Sequence, residues 1–366
     1  MDAYRRSRLG VLPDFGEFSM SLFSNPSYDN HERVLFGHDA ETGLRAIIAI
    51  HNTALGPAVG GCRMWPYEND AAALDDALRL ARGMTYKSAL AGLPFGGGKA
   101  VIIGDSRTQK TPALMRAMGR LVDELGGRYL VAEDVGTTVA DMDIIATETK
   151  HVTGTSKSGG NPSPYTAHGV YQGIRAAVEY KLRRNDGLDG IDVAIQGLGS
   201  VGYDLARRLH GAGARLHVAD INADARDRAA DEFGATTVDT HDIHAIDVDV
   251  FAPCALGGAI NDRTIGDIHA KIVAGSANNQ LAEGRHGAEL AARGILYAPD
   301  YVTNAGGIIE LAYNPDFGRV HDEKAILSHI DGLYDTLMEI FDRADKAKSA
   351  TNEIANQMAE ERFMAA

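Results

Sequence analysis

Cysteine and tryptophan are scarce in this chain, with two of the first and one of the second among 366 residues. Cys62 and Cys254 are too few for a disulfide framework and have no metal-ligand spacing. Both read as small buried thiols, and no metal site is expected. Positive charge is also short: 36 Lys and Arg stand against 50 Asp and Glu, a net charge of −14, with no basic run. That excludes the basic footprint required by a nucleic-acid or anionic-membrane surface. No apolar run approaches the roughly 20 residues of a membrane span. The N-terminal MDAYRRSRLGVLPDFGEF has basic residues but no apolar core long enough for a signal peptide. The expectation is a cytoplasmic protein whose partner is a small molecule.

Glycine, in contrast, is plentiful. The chain has 41, about 11% against a usual ~7%, many in clusters where backbone can approach a ligand closely. The length exceeds what one hydrophobic core usually covers, so two domains are expected. The first ~30 residues read as irregular. Strand-like runs follow at RAIIAIHNT (45–53), KAVIIGD (99–105) and RYLVAED (128–134). Between the first two, Asn69 or Asp70 can cap a helix with Leu74, Ala77, Leu78, Ala81 and Met84 on one face, and Lys87 on the same edge. Thr138 and Asp141 have capping-box spacing. Residues 151–165 turn rich in Gly, Ser and Pro, a connection into a second domain. Beyond it strands alternate with helices, which implies right-handed βαβ units and a parallel sheet. From Glu323 onward Ile326, Ile330, Leu333, Leu337 and Phe341 recur at helical intervals.

GLGSVG, from Gly197 through Leu198, Gly199, Ser200 and Val201 to Gly202, matches G-x-G-x-x-G. The pattern alone is weak, but it follows a strand, opens a helix and precedes a second strand ending in Asp220. Gly197 permits the tight turn, Gly199 lets a pyrophosphate reach the backbone, and Gly202 allows close helix–strand packing. The helix N-terminus presents free N–H groups to phosphates. Asp220 can accept hydrogen bonds from ribose hydroxyls, and no cation beside it would offset a 2′-phosphate. NAD is expected over NADP.

MTYKSALAGLPFGGGK (84–99) fails as a second phosphate loop, because Leu93 and Ala100 stand where that motif needs glycine and a hydroxyl. Its two lysines suit other work. A carboxylate substrate needs a fixed cation, dehydrogenation needs a base near neutrality, and lysine can be either. The glycine triplet before Lys99 is expected to let substrate or cofactor lie against the main chain, and Asp134 stands at a strand end, placed for proton traffic. Spacing alone favours a solvated surface group for either lysine taken individually.

Seven segments carry a resemblance: GPAVGGCRMW (56–65), MTYKSALAGLPFGGGKAVIIGD (84–105), GRYLVAEDVGTTVADMD (127–143), GNPSPYTAHGV (160–170), FAPCALGG (251–258), AGSANNQL (274–281) and ILYAPDYVTNAGG (295–307). They resemble the amino acid dehydrogenases that act on glutamate, leucine, phenylalanine or valine, with the leucine branch nearest. The similarity runs from about residue 33 to MAEER (358–362); the first ~30 residues and 313–322 are its least typical parts. The resemblance implies a two-domain α/β fold with a cleft: an N-terminal substrate and oligomerisation domain (1–150), a Rossmann-like NAD domain (151–322), and C-terminal helices (323–366) packing back on the first domain. It implies a homo-oligomer that reversibly deaminates an L-amino acid to a 2-oxo acid, ammonia and NADH.

By position in those motifs, Lys87 would grip the substrate α-carboxylate and Lys99 would be the lysine of lowered pKa that activates water. Asp134 would exchange protons, the Gly60 main chain and Asn279 would complete the clamp, and Thr166 would face the nicotinamide amide. Glutamate-specific relatives carry lysine where this chain has Val59, so Val59 and Met84 imply an apolar, branched-chain pocket, with phenylalanine as the alternative. Phe95, bulkier than the residue usual there, is expected to reshape that pocket. Two rivals remain. A hydroxy-acid dehydrogenase would want a histidine such as His151 or His168; a silent NAD-binding regulator would need neither lysine.

Overall fold

The computed structural model describes residues 22–158 and 161–365. Most of the N-terminal stretch read as irregular, residues 1–21, lies outside the described residues, as do 159 and 160 in the connection.

The first half is one five-stranded sheet and its helices. Its elements are β1 (Arg33–Asp39), β2 (Leu44–Asn52), β3 (Ala58–Trp65), α1 (Asp70–Leu90), β4 (Gly96–Ile103), α2 (Pro112–Asp123), β5 (Tyr129–Glu133) and α3 (Val139–Ile145). Strand order is β1-β2-β4-β3-β5. β1, β2 and β4 pair antiparallel, whereas β3 runs parallel to both β4 and β5. The Asn69 side chain caps α1 by accepting from Ala72 N–H, and Thr138 with Asp141 forms the capping box of α3. α1 buries Ala73, Leu74, Ala77, Leu78 and Ala81 against Ile47, Ala49 and Val101 on one sheet face. Leu114, Met115, Met118, Met142 and Ile145 of α2 and α3 cover the other. Both strand faces are therefore apolar, which is why β2 and β4 read as continuous hydrophobic runs.

The second half contains α4 (Ser163–Leu182), β6 (Asp192–Gln196), α5 (Ser200–Gly211), β7 (Arg215–Ala219), α6 (Ala223–Phe233), β8 (Thr236–Thr237), β9 (Val250–Pro253), β10 (Ile272–Val273), α7 (Arg285–Ala292), β11 (Leu296–Tyr297), α8 (Asp300–Thr303) and α9 (Gly306–Ala312). Its sheet is parallel in order β11-β10-β9-β6-β7-β8. The order reverses between β6 and β9, the crevice where ligands of doubly wound sheets bind. α4 begins inside the Gly/Ser/Pro-rich stretch, so the connection ends at Pro162 rather than at residue 165.

The C-terminal apolar periodicity is divided among α10 (Glu323–Asp331) and α11 (Leu333–Ala347), with Gly332 between them, and α12 (Thr351–Met364) follows. Their shared face, Ile326 to Phe341, does not return to the first sheet; α10 and α11 cover α4. α12 lies along α1, where Tyr86 O–H donates to Glu360 Oε1 at 2.7 Å and Arg362 donates to the carbonyls of Ala89 and Leu90, and α10 touches the end of α1 through His329 Nε2, 2.7 Å from Ala91 O. The reason is geometric: α4 leaves the cleft with its own apolar face uncovered, and α10 and α11 are the segments near enough to cover it. Among the described residues no helix is long and apolar enough to cross a membrane.

Candidate active site

Between the two halves lies a cleft lined by both. α1 turns a second stripe toward it, Leu80, Gly83, Met84 and Lys87, at the i, i+3, i+4, i+7 spacing of one helix edge. β3 adds Val59, Gly60 and Gly61, β4 adds Lys99, and the end of β5 adds Ala132, Glu133 and Asp134. From the other half come Thr166 of α4, Val201, Asn278, Asn279, Asp300, and Ile308, Glu310 and Leu311 of α9. Thus Lys87, Lys99, Asp134, Gly60, Asn279, Val59, Met84, Thr166 and Val201 converge on one cavity although they span more than two hundred residues of chain.

Asp134 is the electrostatic centre. Lys99 Nζ lies 2.6 Å from Asp134 Oδ2, and Arg63 Nε donates to the same oxygen at 3.1 Å. Burial opposes ionisation, but the charges of Lys99 and Arg63 outweigh it and hold the Asp134 carboxyl down at about 2. Arg63 is fixed in turn by Asp76 at 2.9 Å. A Cβ on Gly61 would stand 2.6 Å from Asp134 Cβ, so that glycine makes room for the carboxylate.

Lys99 is 6% exposed and carboxylate-paired, and the lysine pulled down, to about 8, is Lys87. Burial is the main cause and the Lys99 charge adds to it; Asp300 works in the opposite direction. Lys87 Nζ donates to Asn278 Oδ1 at 3.3 Å, and Asn304 Nδ2 donates to the same oxygen at 2.8 Å. Asp300, buried at the start of α8, accepts from the Tyr297 hydroxyl at 2.9 Å, and burial pushes its carboxyl up. Arg63, Asn278, Asp300 and Asn304 were invisible as site residues in the sequence, because each comes near the lysines only through folding.

The glycine triplet has a different job from the one expected. Gly96 to Gly98 are strand residues, and a Cβ on them would meet Asn52 O at 2.0 Å, Thr85 N at 2.1 Å and the Tyr129 ring at 2.7 Å. They let α1 and β5 close on β4, which sets Lys87 and Lys99 beside one cavity, rather than giving a ligand access to the main chain. Phe95 also departs from expectation. It is buried outside the cleft with its ring 4.7 Å from that of Phe317, so two atypical segments of the sequence pack on each other. His151 lies against Gly127, and His168 pairs with Asp331 at 2.7 Å; neither lines the cleft.

The GLGSVG loop follows β6 at the sheet crevice. Gly197 has φ +102°, a conformation that favours glycine, and a Cβ on Gly202 would lie 2.0 Å from Gly197 O. A Cβ on Gly199 would meet nothing within 4 Å, and α5 has no side-chain cap there. Open space before uncapped N–H groups fits a pyrophosphate. Leu198 N–H donates to Asp220 Oδ2 at 2.6 Å, tying the loop to the end of β7.

Comparison with known proteins follows this geometry. The Glu/Leu/Phe/Val dehydrogenase dimerisation-domain profile matches residues 31–151, and the Glutamate/Leucine/Phenylalanine/Valine dehydrogenase profile matches residues 217–362. The chain belongs to the glutamate/leucine/phenylalanine/valine dehydrogenase family. Leucine dehydrogenase of Geobacillus stearothermophilus is 54% identical over 347 residues, covering 94% of each chain. Phenylalanine dehydrogenase of Bacillus thermotolerans is 46% identical over 366 residues, covering 98% of this chain and 93% of the other. The crystal structure of L-tryptophan dehydrogenase from Nostoc punctiforme superimposes with a TM-score of 0.79 at 47% identity, covering 92% and 96%. As an amino acid dehydrogenase of this family, the chain is an oxidoreductase that works with a nicotinamide dinucleotide, and its parallel second sheet is the Rossmann-like part of the fold.

Proposed function

We propose that the protein is an NAD-dependent dehydrogenase of branched-chain L-amino acids, acting as a cytoplasmic homo-oligomer. The observation that carries the substrate class is the convergence of Val59, Met84, Ile308 and Leu311 on the cavity that holds Lys87, Lys99 and Asp134. Val59 is buried, and no cation stands at its position to meet a side-chain carboxylate. Burying glutamate there would leave its charge unpaired, a cost of several kcal/mol. An aliphatic side chain has only water to lose.

In this reading Lys87 receives the α-carboxylate, with the Gly60 main chain and Asn279 as the rest of the clamp. Lys99 transfers protons to and from the water that adds at the α-carbon, and Asp134 takes the proton of the amino group. Lys99 and Asp134 are in contact at 2.6 Å, so a proton can pass between them without rearrangement. Hydride acceptance is the chemistry NAD supplies when bound. GLGSVG would hold its phosphates, Asp220 its ribose, and Thr166 its nicotinamide amide. Residues 1–150, 151–322 and 323–366 serve as the working division into substrate, dinucleotide and C-terminal parts. The dimerisation domain of the family profile supports self-association.

A panel of L-amino acids with NAD and NADP tests this directly. Leucine, isoleucine and valine should give the highest kcat/KM with NAD, and glutamate should give no measurable NADH. Oxidation of NADH by the matching 2-oxo acid should require ammonium. Preference for phenylalanine or tryptophan would overturn the substrate class, and ammonium independence would overturn the reaction. Removing the ribose contact with Asp220→Ala should weaken NAD binding about ten-fold or more while affecting NADP less. An unchanged NAD/NADP ratio would remove Asp220 from that role.

A further inference from the structure

One carboxylate in the cleft has no part in the chemistry above. Glu310 lies on α9, is 4% exposed, and lines the cavity. Its ion-pair partner among the described residues is His321, with Nε2 3.5 Å from Oε1, beyond a good hydrogen bond. His321 is itself substantially exposed. Burial pushes the Glu310 carboxyl up, and the His321 charge only partly offsets this. A largely buried carboxylate paired with one exposed histidine at 3.5 Å is weakly satisfied, and an aliphatic substrate side chain offers it no hydrogen.

Its place on α9 decides what it can meet. On α9, Glu310 (i+3) and Leu311 (i+4) flank the Gly307 face on opposite sides, and Ile308 lies beyond Leu311. The Gly307 face is the one against α4: a Cβ on Gly307 would lie 2.9 Å from Thr166 Oγ1 and 3.4 Å from Pro162 Cβ. Glu310 also raises the pKa of the Tyr165 hydroxyl on the same turn of α4, behind the larger effects of burial and Glu323. Glu310 thus flanks the Gly307 face that meets Thr166, on the side away from Ile308, and lines the same cavity as Thr166.

We propose that Glu310 accepts a hydrogen bond from the carboxamide N–H2 of the bound nicotinamide and so orients the ring for hydride transfer. The inference rests on the dinucleotide reading above. A primary carboxamide brings two N–H donors and one acceptor oxygen. The Thr166 hydroxyl spends its hydrogen on Pro162 O at 3.1 Å and can accept one amide N–H, so the second N–H calls for another acceptor. A carboxylate is the strongest acceptor a side chain offers. Holding the amide fixes which ring face meets the substrate α-carbon.

The probe is 3-acetylpyridine adenine dinucleotide, which has a methyl group where NAD has the amide N–H2. Displacement of NADH from the full-length protein, followed by NADH fluorescence, gives the affinities of NAD and of the analogue without turnover. The wild type should bind NAD about ten-fold more tightly than the analogue. Glu310→Ala should bring the ratio close to one, and Glu310→Gln, whose amide oxygen still accepts, should retain most of it. Glu310→Met, nearer in volume, replaces the alanine variant if that variant does not fold. A wild type that does not discriminate, or a ratio that Glu310→Ala leaves unchanged, overturns the proposal. So does an unchanged ratio with a new ranking of amino acid substrates, which would assign Glu310 to the substrate side chain. Failure of NADH to bind the wild type at all would count against the dinucleotide reading itself.

Discussion

Replacing Lys99 with alanine is expected to lower kcat by about 10²–10⁴-fold, the usual contribution of a positioned acid or base, while NADH still binds. The expectation follows from where the ammonium sits. Lys99 is almost fully buried, 2.6 Å from Asp134 Oδ2, and more than ninety residues before the GLGSVG loop in the chain. Its loss removes the group that holds the reactive proton and leaves Asp134 with Arg63 alone. Lys99 is the foremost of the charges that hold Asp134 at about 2, so its removal also lets burial raise that carboxyl. Single-turnover kinetics with leucine, together with NADH fluorescence titration, separates chemistry from binding. Near-normal turnover in Lys99→Ala would end its catalytic assignment.

The second large effect is expected at Lys87. Below about pH 8 this lysine carries its charge; above that it becomes a neutral amine, because burial and the Lys99 charge disfavour the cation. Affinity for a 2-oxo acid, which does not titrate in this range, should therefore fall as pH rises through about 8, by up to about ten-fold per unit. A bound carboxylate would stabilise the ammonium, so the fall should continue until pH passes the higher pKa of Lys87 in the complex and level off there. Lys87→Met should bind the oxo acid about 10²–10³-fold more weakly, the scale of losing one member of a buried charge pair, and its profile should be flat. Equilibrium binding from pH 6.5 to about 9.5 reads both. A wild-type profile as flat as that of the variant would exclude Lys87 as the carboxylate anchor.

These two lysines also mark the limit of what sequence patterns carry. MTYKSALAGLPFGGGK contains both, and their spacing predicts a helix edge for Lys87 and a strand for Lys99. Nothing in the segment predicts which is paired and which is isolated. Asp134 comes to Lys99 because β3 and β5 run parallel beside β4, and Asp300 comes near Lys87 from a segment two hundred residues away. Burial, with the Lys99 charge beside it, lowers Lys87 to about 8. Burial removes water from both ammonium groups, but only Lys99 has a carboxylate at contact distance.

Glycine illustrates the same division. GLGSVG reads correctly from sequence because each of its glycines has a local cause: a turn at Gly197, an uncapped helix start at Gly199, a helix–strand contact at Gly202. GGGK reads incorrectly because its cause is remote. The missing side chains at Gly96 to Gly98 are required by Asn52, Thr85 and Tyr129, which belong to three other elements. The C-terminal helices follow suit: their periodicity is local and legible, but their partner, α4, depends on which apolar face remained uncovered.

By itself, then, the sequence determined the glycine turn and helix start of GLGSVG, the alternation of strand and helix, the caps at Asn69 and Thr138, and the apolar character at Val59. All of these depend on neighbours within a few residues, where backbone geometry and side-chain type act directly. Only the tertiary structure decided the Lys99–Asp134–Arg63 cluster, the approach of Asn278 and Asp300 to Lys87, the burial of Phe95 against Phe317, and the placing of Glu310 and Thr166 on one cavity. Electrostatics and burial depend on distance in space, and folding brings within a few ångströms groups that the chain separates by up to hundreds of residues.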